Sequence, residues 1–167
     1  MFPLTVRIRI PKLIFRASEH GYNIHNLYSK CEEYADSYYH CIMVVRGSVE
    51  KEKGVESSLF GAYVDLVPSV LPSNPNTFQG QSDCFVFTFS PHPKKFSSSN
   101  SNDRYCLFKN EYFTIGSGGE GPALRIDESL TSGKSYDCET FGSTCLTDGV
   151  GFKANEFQVE DFELYLI

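Results

Sequence analysis

Glu111-Tyr-Phe-Thr-Ile-Gly-Ser-Gly-Gly-Glu-Gly-Pro-Ala-Leu-Arg-Ile-Asp127 sets two apolar runs on either side of a glycine-dense turn, and its reading decides the fold. The flanking runs predict strand, turn, strand. The turn matches G-x-G-x-x-G at Gly116, Gly118 and Gly121. A dinucleotide site needs that fingerprint to end a strand and open a helix whose N-terminus receives the pyrophosphate. Here Pro122-Ala-Leu-Arg-Ile-Asp127 follows, too short and too strand-like for such a helix. The expectation is therefore a structural turn, with Gly116, Gly118, Gly119 and Gly121 supplying its backbone freedom and Glu120 at the surface.

Working outward, the neighbouring segments repeat the strand signature. Tyr105-Cys-Leu-Phe108 precedes Lys109-Asn-Glu111, which reads as a tight hairpin turn into Tyr112-Phe-Thr-Ile115. Cys84-Phe-Val-Phe-Thr-Phe89, Cys41-Ile-Met-Val-Val45, Leu59-Phe-Gly-Ala-Tyr-Val64 and Leu13-Ile-Phe15 have the composition of strands. The first residues, Phe2 to Ile10, are left open. In the closing stretch Phe157, Val159, Phe162, Leu164 and Leu166 alternate with one break, as a β-bulge would produce. Helical spacing is confined to Ile24, Leu27, Tyr28, Cys31 and Tyr34, with Asn23 as N-cap.

Three stretches lack such patterning. Arg46 to Ser58 is polar and reads as a hairpin connection mobile at its tip, and the prolines of Pro68 to Gln81 read as a loop. Residues 94–104 carry Ser97-Ser-Ser-Asn-Ser-Asn102, a low-complexity run without hydrophobic payload, and are expected to be disordered. Beyond Asp127, Gly133, Gly142 and Gly149 read as turn positions. Short strands without alternating long helices predict a mainly β, antiparallel β-sandwich flanked by short helices, preferred over a closed barrel, in one domain spanning 1–167.

Composition narrows the partners. A net charge of −6 and a pI near 5.2 argue against nucleic acid or an anionic membrane surface. Arg7, Arg9, Lys12 and Arg16 form the one basic cluster near the start and read as a solvated face. With no 18-residue apolar run and no cleavable leader, the chain is expected to be cytoplasmic, and its six cysteines to be reduced thiols, mostly small core residues.

No catalytic set is complete. The histidines lack H-E-x-x-H spacing and no C-x-x-C pair occurs, so no metal or cofactor is expected. Thr131-Ser-Gly-Lys-Ser135 ends like a phosphate loop, but Glu128 stands where that pattern requires glycine. Cysteine nucleophile chemistry stays open because its partners are spatial rather than sequential. Cys138 and Cys145, in a polar loop, offer a redox alternative.

Taken together, the chain resembles the TLDc domain, the module of the oxidation-resistance proteins and of the Skywalker-type TBC–TLDc proteins. The resemblance is carried in order by Leu13-Ile-Phe-Arg-Ala-Ser-Glu-His-Gly-Tyr22, Phe60-Gly-Ala-Tyr63, Cys84 to Phe89, the glycine turn with Ala123 and Asp127, Gly133-Lys-Ser135, Cys138-Glu-Thr-Phe141 and Phe157 to Glu163. Ser117 is an extra residue in the usual glycine pattern, and Gly142 stands where asparagine is common. The resemblance implies a β-sandwich without an established catalytic centre. It also implies oxidative-stress protection, binding to the peripheral sector of the vacuolar proton-pumping ATPase, and a link to vesicle traffic. Location at vesicle or endolysosomal membranes would then come through partners. The TBC part that would act on Rab GTPases is not among these residues, so no GTPase-activating activity is expected of them; an upstream TBC domain in a longer chain would be a partner.

Overall fold

The computed structural model describes residues 10–35, 38–51, 54–147 and 155–167. Its elements are β1 (Lys12–Arg16), α1 (Ala17–His20), α2 (Ile24–Glu32), β2 (Cys41–Lys51), β3 (Gly54–Val64), β4 (Phe85–Ser90), β5 (Lys94–Ser97), β6 (Cys106–Phe108), β7 (Tyr112–Ile115), β8 (Leu124–Asp127), β9 (Ser132–Lys134) and β10 (Glu156–Leu166). The strands pair antiparallel in the order β5-β4-β3-β2-β10-β9-β8-β7-β6, with β1 also on β10. The expected β-rich antiparallel class with two short helices is what forms. Pairing is unbroken across all ten strands, so the layers foreseen as a sandwich belong to one continuous sheet.

β10 makes that continuity possible. Glu156 to Gln158 pair with β9, Glu163 to Leu166 pair with β1, and β2 runs along the other edge from Gln158 to Leu166. The register shifts between Val159 and Asp161, which is the break read in the sequence. An extra residue there changes the parity of the strand. Phe157 and Val159 before the bulge, and Phe162, Leu164 and Leu166 after it, all face the interior. Asp161, next to the bulged Glu160, also accepts hydrogen bonds from Ser18 N and Oγ at 3.2 and 2.8 Å, fixing α1 to the sheet.

One buried cluster takes Met43, Phe60 and Val86 from the β2–β3–β4 arm and Phe108, Phe113 and Leu124 from the β6–β7–β8 arm. Phe162 sits between Phe113 and Phe15, with ring centroids 5.7 and 6.2 Å away. α2 closes this core with Ile24, Leu27, Tyr28 and Cys31, and Asn23 caps it as expected, its side chain accepting from His25 N at 2.7 Å.

Three expectations change. Arg46 to Ser58 is paired strand, in register from Arg46–Leu59 to Lys51–Gly54, because a two-stranded ladder needs backbone partners and not apolar side chains; the tip, 52–53, lies outside the described residues. Gly133 is a strand residue of β9, where the Phe157 ring occupies the space a side chain would need; Gly149 lies outside the described residues. Residues 94–104 are ordered. β5 pairs with β4, with Phe96 buried, and the serines beyond it are hydrogen bonded. Among the described residues no helix is long and apolar enough to cross a membrane.

Candidate functional site

The glycine turn joins β7 to β8, which pair from Tyr112–Asp127 to Ile115–Leu124. Two of its glycines are demanded by geometry. Gly116 has φ +76°, and a Cβ there would meet Cys138 Sγ at 2.7 Å and the Phe141 ring at 2.9 Å. Gly119 has φ +71° and lies 3.0 Å, measured from the same hypothetical atom, from the Asp137 carbonyl oxygen. L-residues with side chains rarely adopt such φ values, so the turn is specified by its glycines. Gly118 shares the left-handed backbone, whereas Gly121 does not and is instead covered by the Tyr136 ring.

The turn faces inward against residues 136–143. Gly116 N donates to Tyr105 O at 2.7 Å, Glu120 N to Asp137 O at 3.0 Å, and Glu139 N to Gly118 O at 3.1 Å. Thr140 is the bolt of this clasp. Fully buried, its hydroxyl accepts from Ser117 N at 2.9 Å and lies 2.8 Å from both Ser117 O and Asn102 Oδ1, to one of which it donates. Ser99 adds a second strap, its N donating to Thr140 O at 2.8 Å and its Oγ to Glu139 O at 2.6 Å. A phosphate cradle needs outward-pointing amides. Here the amides of Gly116, Ser117 and Glu120 are bound within the protein.

The remaining predicted residues do not converge on one centre. Glu120 is exposed at the turn. Asp127 is at the opposite end of β8, where its Oδ2 accepts from Ser132 Oγ at 2.9 Å and its Oδ1 lies 3.6 Å from Arg125 Nε. Cys138 is buried beneath Gly116, and burial pushes its thiol pKa up. Cys145 is buried apart from it, with Sγ 3.2 Å from Ser135 O and 3.1 Å from Thr147 Oγ1. The loop placement read from their polar neighbours thus hides two interior thiols. All six cysteines are free and buried. Among the described residues no group of three or more His, Cys, Asp or Glu is placed to hold a metal ion.

The sequence reading missed Ser99, Asn102, Ser117 and Thr140. A signal existed: the Ser/Asn run is bracketed by the aromatic residues Phe96 and Tyr105, both of which are buried. Serine and asparagine in such a setting build local turns as readily as disorder.

A family model described as TLDc domain matches residues 1–167. Oxidation resistance protein 1 of Podospora anserina is 24% identical over 196 residues, covering 93% of this chain and 52% of that protein. Human Nuclear receptor coactivator 7 is 27% identical over 158 residues, covering 92% of the chain and 14% of the relative. Human Oxidation resistance protein 1 is 27% identical over 153 residues, covering 92% and 15%. The chain spans about half or less of the length of these relatives. With the family model matched along all of its residues, this chain belongs to the TLDc domain family.

Proposed function

We propose that this chain is a non-catalytic docking module that serves oxidative-stress protection by binding a protein partner, with the peripheral sector of the vacuolar proton-pumping ATPase as that partner and vesicle traffic as its setting. The observation that carries the reading is the whole-chain family match, with relatives named Oxidation resistance protein 1. The site geometry supports it: the Gly116, Ser117 and Glu120 amides of the glycine turn are bound within the protein, and the thiols that would serve redox chemistry are buried. A buried thiol with a raised pKa holds little thiolate at neutral pH and reacts slowly. The module would act in the cytoplasm and reach membranes through its partner.

Pull-down of the purified chain with the purified peripheral sector is expected to retain it, and a folded chain that fails to bind rules that partner out. In a peroxide-survival assay the Cys138→Ser/Cys145→Ser double variant is expected to protect as the parent does. Lost protection with the fold intact would favour the thiol reading instead.

A further inference from the structure

Two thiols away from the clasp meet inside the core that the two arms share. Cys84 stands just before β4 and Cys106 opens β6, strands near opposite ends of the sheet order, and neither side chain has any exposure. Gln79 and Gly80 hold them together. Gln79 exchanges backbone hydrogen bonds with Cys106 at 2.7 and 2.9 Å, while a Cβ on Gly80 would lie 3.1 Å from Cys84 Sγ and 3.3 Å from Tyr105 Cβ. Cys84 Sγ also donates to Asp65 Oδ1 at 3.2 Å. Burial, and after it a hydrogen bond with the Cys84 thiol, pushes the Cys106 thiol well above its ordinary range. The cover over the pair is thin. No residue from 71 to 83 is buried, and the stretch is tied down by the Gln79–Cys106 pair, by Gln79 Nε2 on Ser69 O and by Gln81 N on Asp65 Oδ1. Local opening of such a loop admits a molecule the size of water.

We propose that Cys84 and Cys106 are a modification site, at which hydrogen peroxide closes a reversible disulfide between the two arms. In the first step the Cys84 sulfur attacks one peroxide oxygen and the O–O bond breaks. The thiol proton, passed through Asp65 Oδ1, joins the leaving hydroxide as water, and Cys84 becomes a sulfenic acid. In the second step the Cys106 sulfur attacks the Cys84 sulfur and the S–O bond breaks. The hydroxide leaves with the Cys106 proton as a second water. The two thiols have then given two electrons and two protons to one peroxide, and a reducing dithiol returns them. Because burial keeps thiolate scarce, the bond forms slowly and once per molecule, so it marks the chain and does not turn peroxide over. The site goes beyond the docking reading: it needs no partner, and Cys138 and Cys145 take no part in it.

The test exposes the whole folded chain to excess hydrogen peroxide, alkylates the remaining thiols in denaturant and digests with trypsin. Cleavage after Lys94, Lys95 and Arg104 puts the two cysteines on different peptides. Mass spectrometry should find those two peptides joined at least tenfold more often than any other cysteine pair, and dithiothreitol should part them. Cys106→Ala removes the attacking thiol, so dimedone, which traps sulfenic acid, should label Cys84 at least fivefold more than in the parent. If that variant does not fold, the peptide map of the parent decides alone. Four results overturn the proposal: no joined peptides from a chain whose melting curve shows it folded, joining that occurs only in urea, Cys84 bonded to Cys41 or to a second chain, or Cys84 carried on to sulfinic acid while Cys106 stays free. A folded Cys106→Ala chain that dimedone leaves unlabelled overturns the order of the two steps.

Discussion

Thr140→Val isolates the clasp. Valine keeps the shape of threonine and removes the hydroxyl, so packing beneath the turn is preserved while the Ser117 amide loses its acceptor at 2.9 Å and the hydroxyl proton loses its place 2.8 Å from Ser117 O and Asn102 Oδ1. Stranding a buried donor costs about 1–3 kcal/mol, and the donated bond contributes about 1 kcal/mol. The expected loss is about 2–4 kcal/mol, which for a chain of this size lowers Tm by about 4–16 °C. Thr140→Ser keeps the hydroxyl and forfeits one methyl group, about 1 kcal/mol with the small void it leaves. The predicted order of stability is parent, then Ser, then Val, the reverse of the order that hydrophobicity alone would give the two variants. Urea unfolding followed by circular dichroism reads that order directly. A valine variant as stable as the serine variant would refute the role given to Thr140.

Gly119→Val should cost about 1–3 kcal/mol, since the left-handed backbone there disfavours a β-branched residue; thermal unfolding unchanged within about 1 °C contradicts it. Phe162→Ala, at the meeting of Phe113 and Phe15, should cost about 3–5 kcal/mol in the same assay, and a loss below about 1 kcal/mol would mean that the arms do not share that core. Stability should fall as pH rises above 9: the unfolded Cys31 thiol deprotonates near its ordinary 9.0, whereas burial holds the folded one protonated up to about 12, so the folded state binds the extra proton between those values. Its contribution is complete below pH 9 and is lost by about 1.4 kcal/mol per pH unit above it, visible as a falling urea midpoint that Cys31→Ala makes less steep. Trypsin under native conditions should spare the bond after Arg104, and rapid cleavage there would return residues 94–104 to disorder.

Much of the fold was legible wherever a residue's fate depends on near neighbours. Asn23 caps α2 through an amide two positions away, and the break in the Phe157 to Leu166 alternation is a bulge because strand parity is a local count. The site was legible in part. Left-handed glycines announce a turn, but not that it would be bolted from 23 residues away by Thr140. Ser99 and Asn102 were read by composition, which averages over a window, whereas their order comes from bonds to Glu139 and Thr140 that no window contains. The same limit applies to Cys138 and Cys145. Polar neighbours describe the loop around them, and burial is decided by what folds over it, here the turn at Gly116 in the case of Cys138.

The exposed outer face of β4 was obscured by the very feature that identified the strand. Phe85-Val-Phe-Thr-Phe89 is apolar at successive positions, the pattern of a strand covered on both faces. Val86 meets the core on one face with no exposure at all, while Phe87 and Phe89 on the other are covered in part or hardly at all. Solubility alone would favour polar residues at those positions, as β10 has at Glu160 and Glu163. Strand propensity and core burial are therefore separate readings of one run: Val86 is placed by the core, whereas Phe89 meets only the demands of a strand.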